Sequence, residues 1–148
     1  MQLVETFYPP TWRGRPASMP WTDWQIWQRF LASSGALYDS YSYDVMLSAG
    51  EPAPLGTDAA MLKMWRENTA KRIDAVGKKA GVYTIIEVRD ECTWQTLGQV
   101  LGYQALAELE FDGDTWSRPL IVCGTINTGI RPAITAQGIN LLILPPRG

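Results

Sequence analysis

The chain has 148 residues, 46% of them hydrophobic and 19% charged, the make-up of one globular domain around one core rather than of a disordered segment. It has no histidine, and its two cysteines, Cys92 and Cys123, stand far apart, which excludes His-based triads and metal sites and argues against zinc. The net charge of −2 argues against a free-standing DNA binder, since phosphate neutralisation by basic residues supplies most non-specific affinity.

No apolar run approaches the length of a bilayer span. Residues 1–10 lack a basic stretch followed by an apolar one, so no signal peptide is expected and the default compartment is the cytoplasm of a cell or of an infected host.

Residues 1–20 are rich in Pro, Gly and aromatics and read as an extended arm; residues 21–148 read as a single domain. Thr22 or Asp23 is placed to cap a helix over 23–33, with Trp24, Trp27, Phe30 and Leu31 as its apolar stripe and Ser33-Ser34-Gly35 as its end. Residues 41–47 alternate aromatic and branched side chains and predict a strand. A loop follows over 51–56, then a short helix carrying Met61, Leu62 and Trp65, capped by Thr57 or Asp58. Residues 69–76 predict a second strand and 77–81 a turn, with Gly77 and Gly81 there to allow positive φ. Val82–Arg89 is the strongest strand in the sequence; it is apolar on both faces, so it belongs in the middle of a covered sheet. Thr93 caps a helix over 94–109 with Leu97, Val100, Leu101 and Ala105 inside. A turn at 111–115, an apolar strand at 119–123 and another at 139–144 complete the chain. Residues 82–123 form a β-α-β unit, which calls for parallel strands. The expected fold class is α/β (α+β), with a central mixed β-sheet flanked by helices.

Glu87 and Arg89 are two apart on one strand and share a face. That face turns charged only at the C-terminal end of the strand, where ligand sites in α/β sheets gather. Hairpin pairing brings Asp74 close to Glu87, with the register open by a residue or two. Two carboxylates at one strand end suit Mg²⁺, a hard ion that prefers oxygen ligands. Gln95, Gln99 and Tyr103 recur every four residues and share a face of the next helix. The plainer alternatives are an ion-pair cluster at a sheet edge for Asp74, Glu87 and Arg89, and an ordinary i,i+4 surface pair for Gln99 and Tyr103.

Arg72-Ile-Asp74-Ala-Val, Ile86-Glu87-Val88-Arg89 and Gly98-Gln99-Val-Leu-Gly-Tyr103, in that order and across residues 69–124, resemble the PD-(D/E)XK nuclease superfamily. The Gln-x-x-x-Tyr spacing resembles its RecB-type branch. The resemblance implies a restriction-endonuclease-like core, Asp74, Glu87 and the Val88 carbonyl as ligands of Mg²⁺, and Gln99 and Tyr103 as residues that position the site or the DNA. The sequence departs from the pattern at Arg89, where the family has lysine. Arginine stays protonated and cannot serve as a base, although it can hold a phosphate. Lys71, Lys78 and Lys79 are the lysines that could reach in instead; for Lys78-Lys79 the plain alternative is a solvated turn.

Two functions follow from the resemblance. One is a nuclease-fold domain with weakened or lost activity, a structural or DNA-handling component of a larger assembly such as the head–tail neck of a tailed-bacteriophage virion. The other is an active Mg²⁺-dependent deoxyribonuclease, with Asp74, Glu87, Arg89, Gln99 and Tyr103 as its site. Seven tryptophans are many for this length. They fit a core over the sheet or, since Trp is enriched at binding hot spots, a protein interface. Trp12, in the Pro/Gly-rich arm, is the one expected to meet other protein subunits.

Overall fold

The computed structural model describes residues 1–47, 55–56, 58–61 and 71–145. Helix α1 (Trp21–Ser34) runs into a 3₁₀ turn (Gly35–Leu37), followed by strands β1 (Ser40–Leu47), β2 (Lys71–Lys79) and β3 (Val82–Cys92). Helix α2 (Trp94–Glu110), the two-residue β4 (Thr115–Trp116) and β5 (Leu120–Ile126) come next; a second 3₁₀ turn, helix α3 (Arg131–Ala136) and β6 (Asn140–Ile143) close the fold. Among the described residues six strands form one mixed sheet in the order β1-β2-β3-β5-β6, with β4 beside the start of β3. The pairs β1–β2 and β2–β3 are antiparallel, while β3–β5 and β5–β6 are parallel. The expected mixed α/β sheet with its β-α-β unit over 82–123 is therefore what the chain forms. The expected helix residues Leu62 and Trp65, and the start of the second strand at Thr69, lie outside the described residues.

The helices cover the sheet through the stripes their sequences supply. In α1, Ile26, Trp27, Phe30 and Leu31 are buried with Tyr41, Ala75, Ile86 and Val88; side chains of this size stabilise by about 1.5–3 kcal/mol each on full burial. Pro20 precedes α1, and its carbonyl accepts the Trp24 N–H at 2.9 Å. The helix thus starts two residues before the expected position, and Asp23 lies inside its first turn and is buried. Neither Thr22 nor Asp23 caps it. Thr93 does cap α2, in a capping box with Thr96. Leu97 and Val100 of α2 are buried and Leu101 is half-buried, whereas Ala105 is exposed. The two thiols, Cys92 and Cys123, are free and buried.

The β2–β3 turn is shorter than expected. Within it, Ala80 and Gly81 have positive φ, at 51° and 78°, the pair a two-residue hairpin of this type demands. Gly77 is not in the turn but within β2, where a Cβ would come within 2.7 Å of the Tyr38 ring. Its side-chain hydrogen is a packing requirement, not a conformational one. Lys78 is likewise in the strand, its ammonium 5.4 Å from the Phe7 ring centroid and 5.7 Å from that of Tyr83.

The first twenty residues fold back on their own domain. Tyr8 bridges Tyr41, Leu3 and Met19 are buried, and the Leu3 N–H donates to Asp114 at 2.6 Å. Trp12 stacks on Tyr8 at 4.4 Å and packs against Tyr43 at 5.2 Å between ring centroids.

Candidate functional site

The β2–β3 ladder ends at the pair Ala75–Ile86. The next pair in that register, Asp74 and Glu87, lies just beyond the last rung. On the other side of β2, Asp44 of β1 has φ 53° and leaves the ladder between Tyr43–Ala75 and Val45–Ile73, opposite Asp74. Its carboxylate is bonded instead to the Ala17 and Ser18 N–H groups. From Glu87 onward β3 keeps β5 as its partner and has lost β2. The backbone donor left over is taken by a side chain: the Val88 N–H donates to Asp74 Oδ2 at 3.0 Å.

Into this gap projects Arg89. Its Nη1 donates to the Val88 carbonyl at 2.9 Å and to Asp74 Oδ2 at 3.1 Å. Its Nη2 donates to Gln99 Oε1 of α2 at 2.9 Å and stands 2.6 Å from Glu87 Oε1. This last contact is a close ion pair that lies off the N–H directions, and the Glu87 carboxyl is paired with that of Asp74. A third carboxylate approaches from α1, Asp23 Oδ2 at 3.8 Å from Nη1, while its Oδ1 accepts the Asp90 N–H. Asp23, Asp74 and Glu87 are only 6%, 4% and 1% exposed.

Three buried carboxylates around one cation cannot all keep their charge easily in a medium of low dielectric constant. Burial raises the pKa of Asp74 and of Asp23. Glu87 is pushed up to about 10, first by burial and then by the charge of Asp74. One proton is therefore held by the Asp74–Glu87 pair at neutral pH. Burial pulls the Arg89 guanidinium down, but Glu87, Asp74 and Asp23 together raise it, so it stays a cation.

Four of the expected site residues, Asp74, Glu87, Arg89 and Gln99, thus meet in one cluster, with the Val88 carbonyl. Tyr103 is placed differently. Its ring is buried in the apolar cluster with Ile73 and Ile85, and burial followed by the nearby Glu87 and Asp74 charges raises its hydroxyl pKa. With Lys71, Gly98, Gln99, Gly102 and Leu106 it lines a cleft of about 220 Å³ beside the cluster. Of the three lysines considered, Lys71 borders this cleft; Lys78 sits over Phe7 and Tyr83, and Lys79 is exposed at the hairpin end.

Sequence reasoning missed Asp23, taking it for a helix cap. The signal was present: Asp23, Ile26, Trp27 and Phe30 are spaced by three and four, so the carboxylate lies on the stripe that α1 buries.

The donor set is all oxygen, as a hard divalent ion would require. Yet the point at which Asp74, Glu87 and the Val88 carbonyl converge is filled by the guanidinium, and among the described residues no group of acids is arranged to hold a metal ion. With Arg89 in this position the residues do not fit Mg²⁺. Among the described residues no helix is long and apolar enough to cross a membrane. No protein-family model, no curated protein and no solved structure matches the chain.

Proposed function

We propose that the chain is a nuclease-type domain of the PD-(D/E)XK kind, with a restriction-endonuclease-like core, in which phosphodiester hydrolysis is weakened or lost. It serves as a structural or DNA-handling component of a larger protein assembly, of the sort that builds the head–tail neck of a tailed-bacteriophage virion. The observation that carries the first part is the convergence of Asp74, Glu87, Val88 and Gln99 on one point where β2 and β3 separate. Loss of activity is supported by the chemistry of the cluster. Arg89 is permanently protonated, the Asp74–Glu87 pair holds a proton, and Asp74 is engaged by the Val88 N–H and Arg89. None of them is a free base for activating water.

The assembly role rests on exposed aromatic surface. Trp12 is engaged by Tyr8 and Tyr43, so the tryptophans offered to a partner subunit are Trp21 and Trp94, 57% and 58% exposed at the starts of α1 and α2. Aromatic side chains of this kind are favoured interface anchors.

The test has two parts. Single- and double-stranded DNA is incubated with the protein in millimolar Mg²⁺ or Mn²⁺, beside an Asp74→Ala/Glu87→Ala variant, and the mass of the protein is read by light scattering. No cleavage above the variant's background, with a defined oligomer, is the expected result. Cleavage that the variant loses would establish an active metal-dependent nuclease instead, and a monomer at all concentrations would remove the assembly role.

A further inference from the structure

We propose that the outer face of α2 is an interface for a second copy of this chain, packed antiparallel about a two-fold axis that passes between Leu101 and Gly102. The inference rests on the assembly role proposed above and names the partner and the surface.

Helix α2 turns Leu97, Val100, Tyr103 and Ala107 inward. A helix that buries one stripe ordinarily offers charged side chains to water on the other side. This one does not. Its outward stripe is Trp94, Gly98, Leu101, Gly102, Ala105 and Leu109, recurring at spacings of three and four. Five of the six are exposed and Leu101 is half-buried. Trp94 and Leu109, one at each end, are 58% and 76% exposed, and none of the six carries a charge. A contiguous apolar surface of this kind is relieved by pairing with another apolar surface.

Charge selects a second copy as the occupant. The first turn of α2 carries no acid and its last turn no base. Glu108 and Glu110 stand instead at the C-terminal end, where the helix dipole is already negative. Asp90 and Glu91 lie before the Thr93 cap, on β3 and outside the helix. In an antiparallel pair the acids of each copy come to the positive N-terminal end of the other, with Glu108 level with Gln95 in the first turn. What is unfavourable in the single chain becomes attraction between two.

Shape points the same way. Bulky residues end the stripe and small ones fill its middle, so the order reads alike from either end, as a two-fold contact requires. A copy pivoted between Leu101 and Gly102 brings its Leu109 level with Trp94 and its Ala105 level with Gly98. At Gly98 and Gly102 an added Cβ would meet nothing within 4 Å among the described residues, so the helix backbone is bare there and a second helix can approach closely. Neither glycine has a positive φ, and glycine is a poor helix former; the conformation of α2 does not call for them.

The experiment is sedimentation equilibrium of the full chain over a wide range of concentration, for the wild type, Ala105→Glu, Leu109→Glu and Trp21→Ser, with circular dichroism to follow helix content. The wild type is expected to dimerise. Each glutamate puts a charge inside the paired face and should weaken association by about a hundredfold or more. Both positions are exposed in the single chain, so the helix signal should stay. Trp21→Ser, on α1, should associate as the wild type does. Cross-linking gives an independent reading. A Gly102→Cys thiol lies beside the axis, while Cys92 and Cys123 are buried, so mild oxidation with copper phenanthroline should yield a covalent dimer. Ser33→Cys, exposed on α1, should remain single under the same treatment. If both glutamate variants lose helix signal, the cross-link decides. An oligomer that folded Ala105→Glu and Leu109→Glu leave intact overturns this inference and leaves the assembly role standing. So does a wild-type dimer in which Gly102→Cys fails to cross-link. A wild type that is monomeric at every concentration overturns both.

Discussion

The carboxylate of Asp23 accepts the backbone N–H of Asp90 at 2.8 Å, fastening the first turn of α1 to the strand that carries Glu87 and Arg89. The same side chain faces the guanidinium at 3.8 Å. It therefore has two duties, and they can be separated. Asp23→Ala leaves the part-buried Asp90 N–H without its acceptor and should cost about 0.5–1.5 kcal/mol of stability. Asp23→Asn keeps an acceptor for Asp90 and should retain most of it. Urea unfolding at neutral pH measures both; equal losses would show that charge toward Arg89, not the hydrogen bond, is what Asp23 contributes.

Glu87 makes stability depend on pH. Its folded pKa is raised from 4.5 to about 10, by burial and by Asp74. The folded state thus binds a proton that the unfolded chain releases above pH 4.5, so this stabilisation is complete below that value and is lost as pH rises toward about 10. Glu87→Gln carries the neutral form permanently. It should melt close to the wild type at about pH 5 and clearly above it at about pH 9. A gentler slope should persist in the variant, because burial also raises Asp74 and Asp23. Parallel melting curves for the two proteins across this range would show that Glu87 is ionised in the fold.

Glycines of one composition should respond in opposite directions. Gly77→Ala would drive a Cβ to 2.7 Å from the Tyr38 ring and should destabilise by about 1–3 kcal/mol. Gly98 and Gly102 lie in α2, where an added Cβ would meet nothing within 4 Å; alanine at either should stabilise the isolated protein by about 0.5–1 kcal/mol. Chemical denaturation of the three variants decides it. Destabilisation by Gly98→Ala or Gly102→Ala would mean that the helix needs those glycines for its own packing.

Trp12 tests whether the arm belongs to the domain. Its two ring contacts, with Tyr8 and Tyr43, should make Trp12→Ala cost about 1–3 kcal/mol, visible as a lower melting temperature. An unchanged melting temperature would return Trp12 to the role of an unengaged interface residue.

Much of the architecture was legible because local patterns carried it. The apolar run Val82–Val88 marked the central strand, Thr93 marked the start of α2, and the two-residue spacing of Glu87 and Arg89 put them on one face with Asp74 on the strand before. What the sequence left obscure depends on contacts between distant residues. A glycine looks the same whether it serves a turn, as Gly81 does, or makes room for a ring, as Gly77 does for Tyr38. Asp23 looked like a cap because aspartate commonly is one; only the helix's early start at Trp21 turns it inward. Tyr103 shares the four-residue spacing of Gln99, yet the apolar side chains of β1, β2 and β3 around it decide its burial. That Arg89 would fold into the cluster, instead of reaching out to a phosphate, depends on three acids from different elements meeting there.

The anchoring of the arm bears on the order of events during synthesis. The Met1 amino group meets Asp112 and the Leu3 N–H meets Asp114, each contact spanning 111 residues. During synthesis these residues therefore wait for partners made 111 residues later, and closing so long a loop comes late in folding. Until then the apolar surface that Leu3 covers stays open to solvent. A nascent chain halted before Asp112 should be the species most prone to aggregate and most in need of a chaperone.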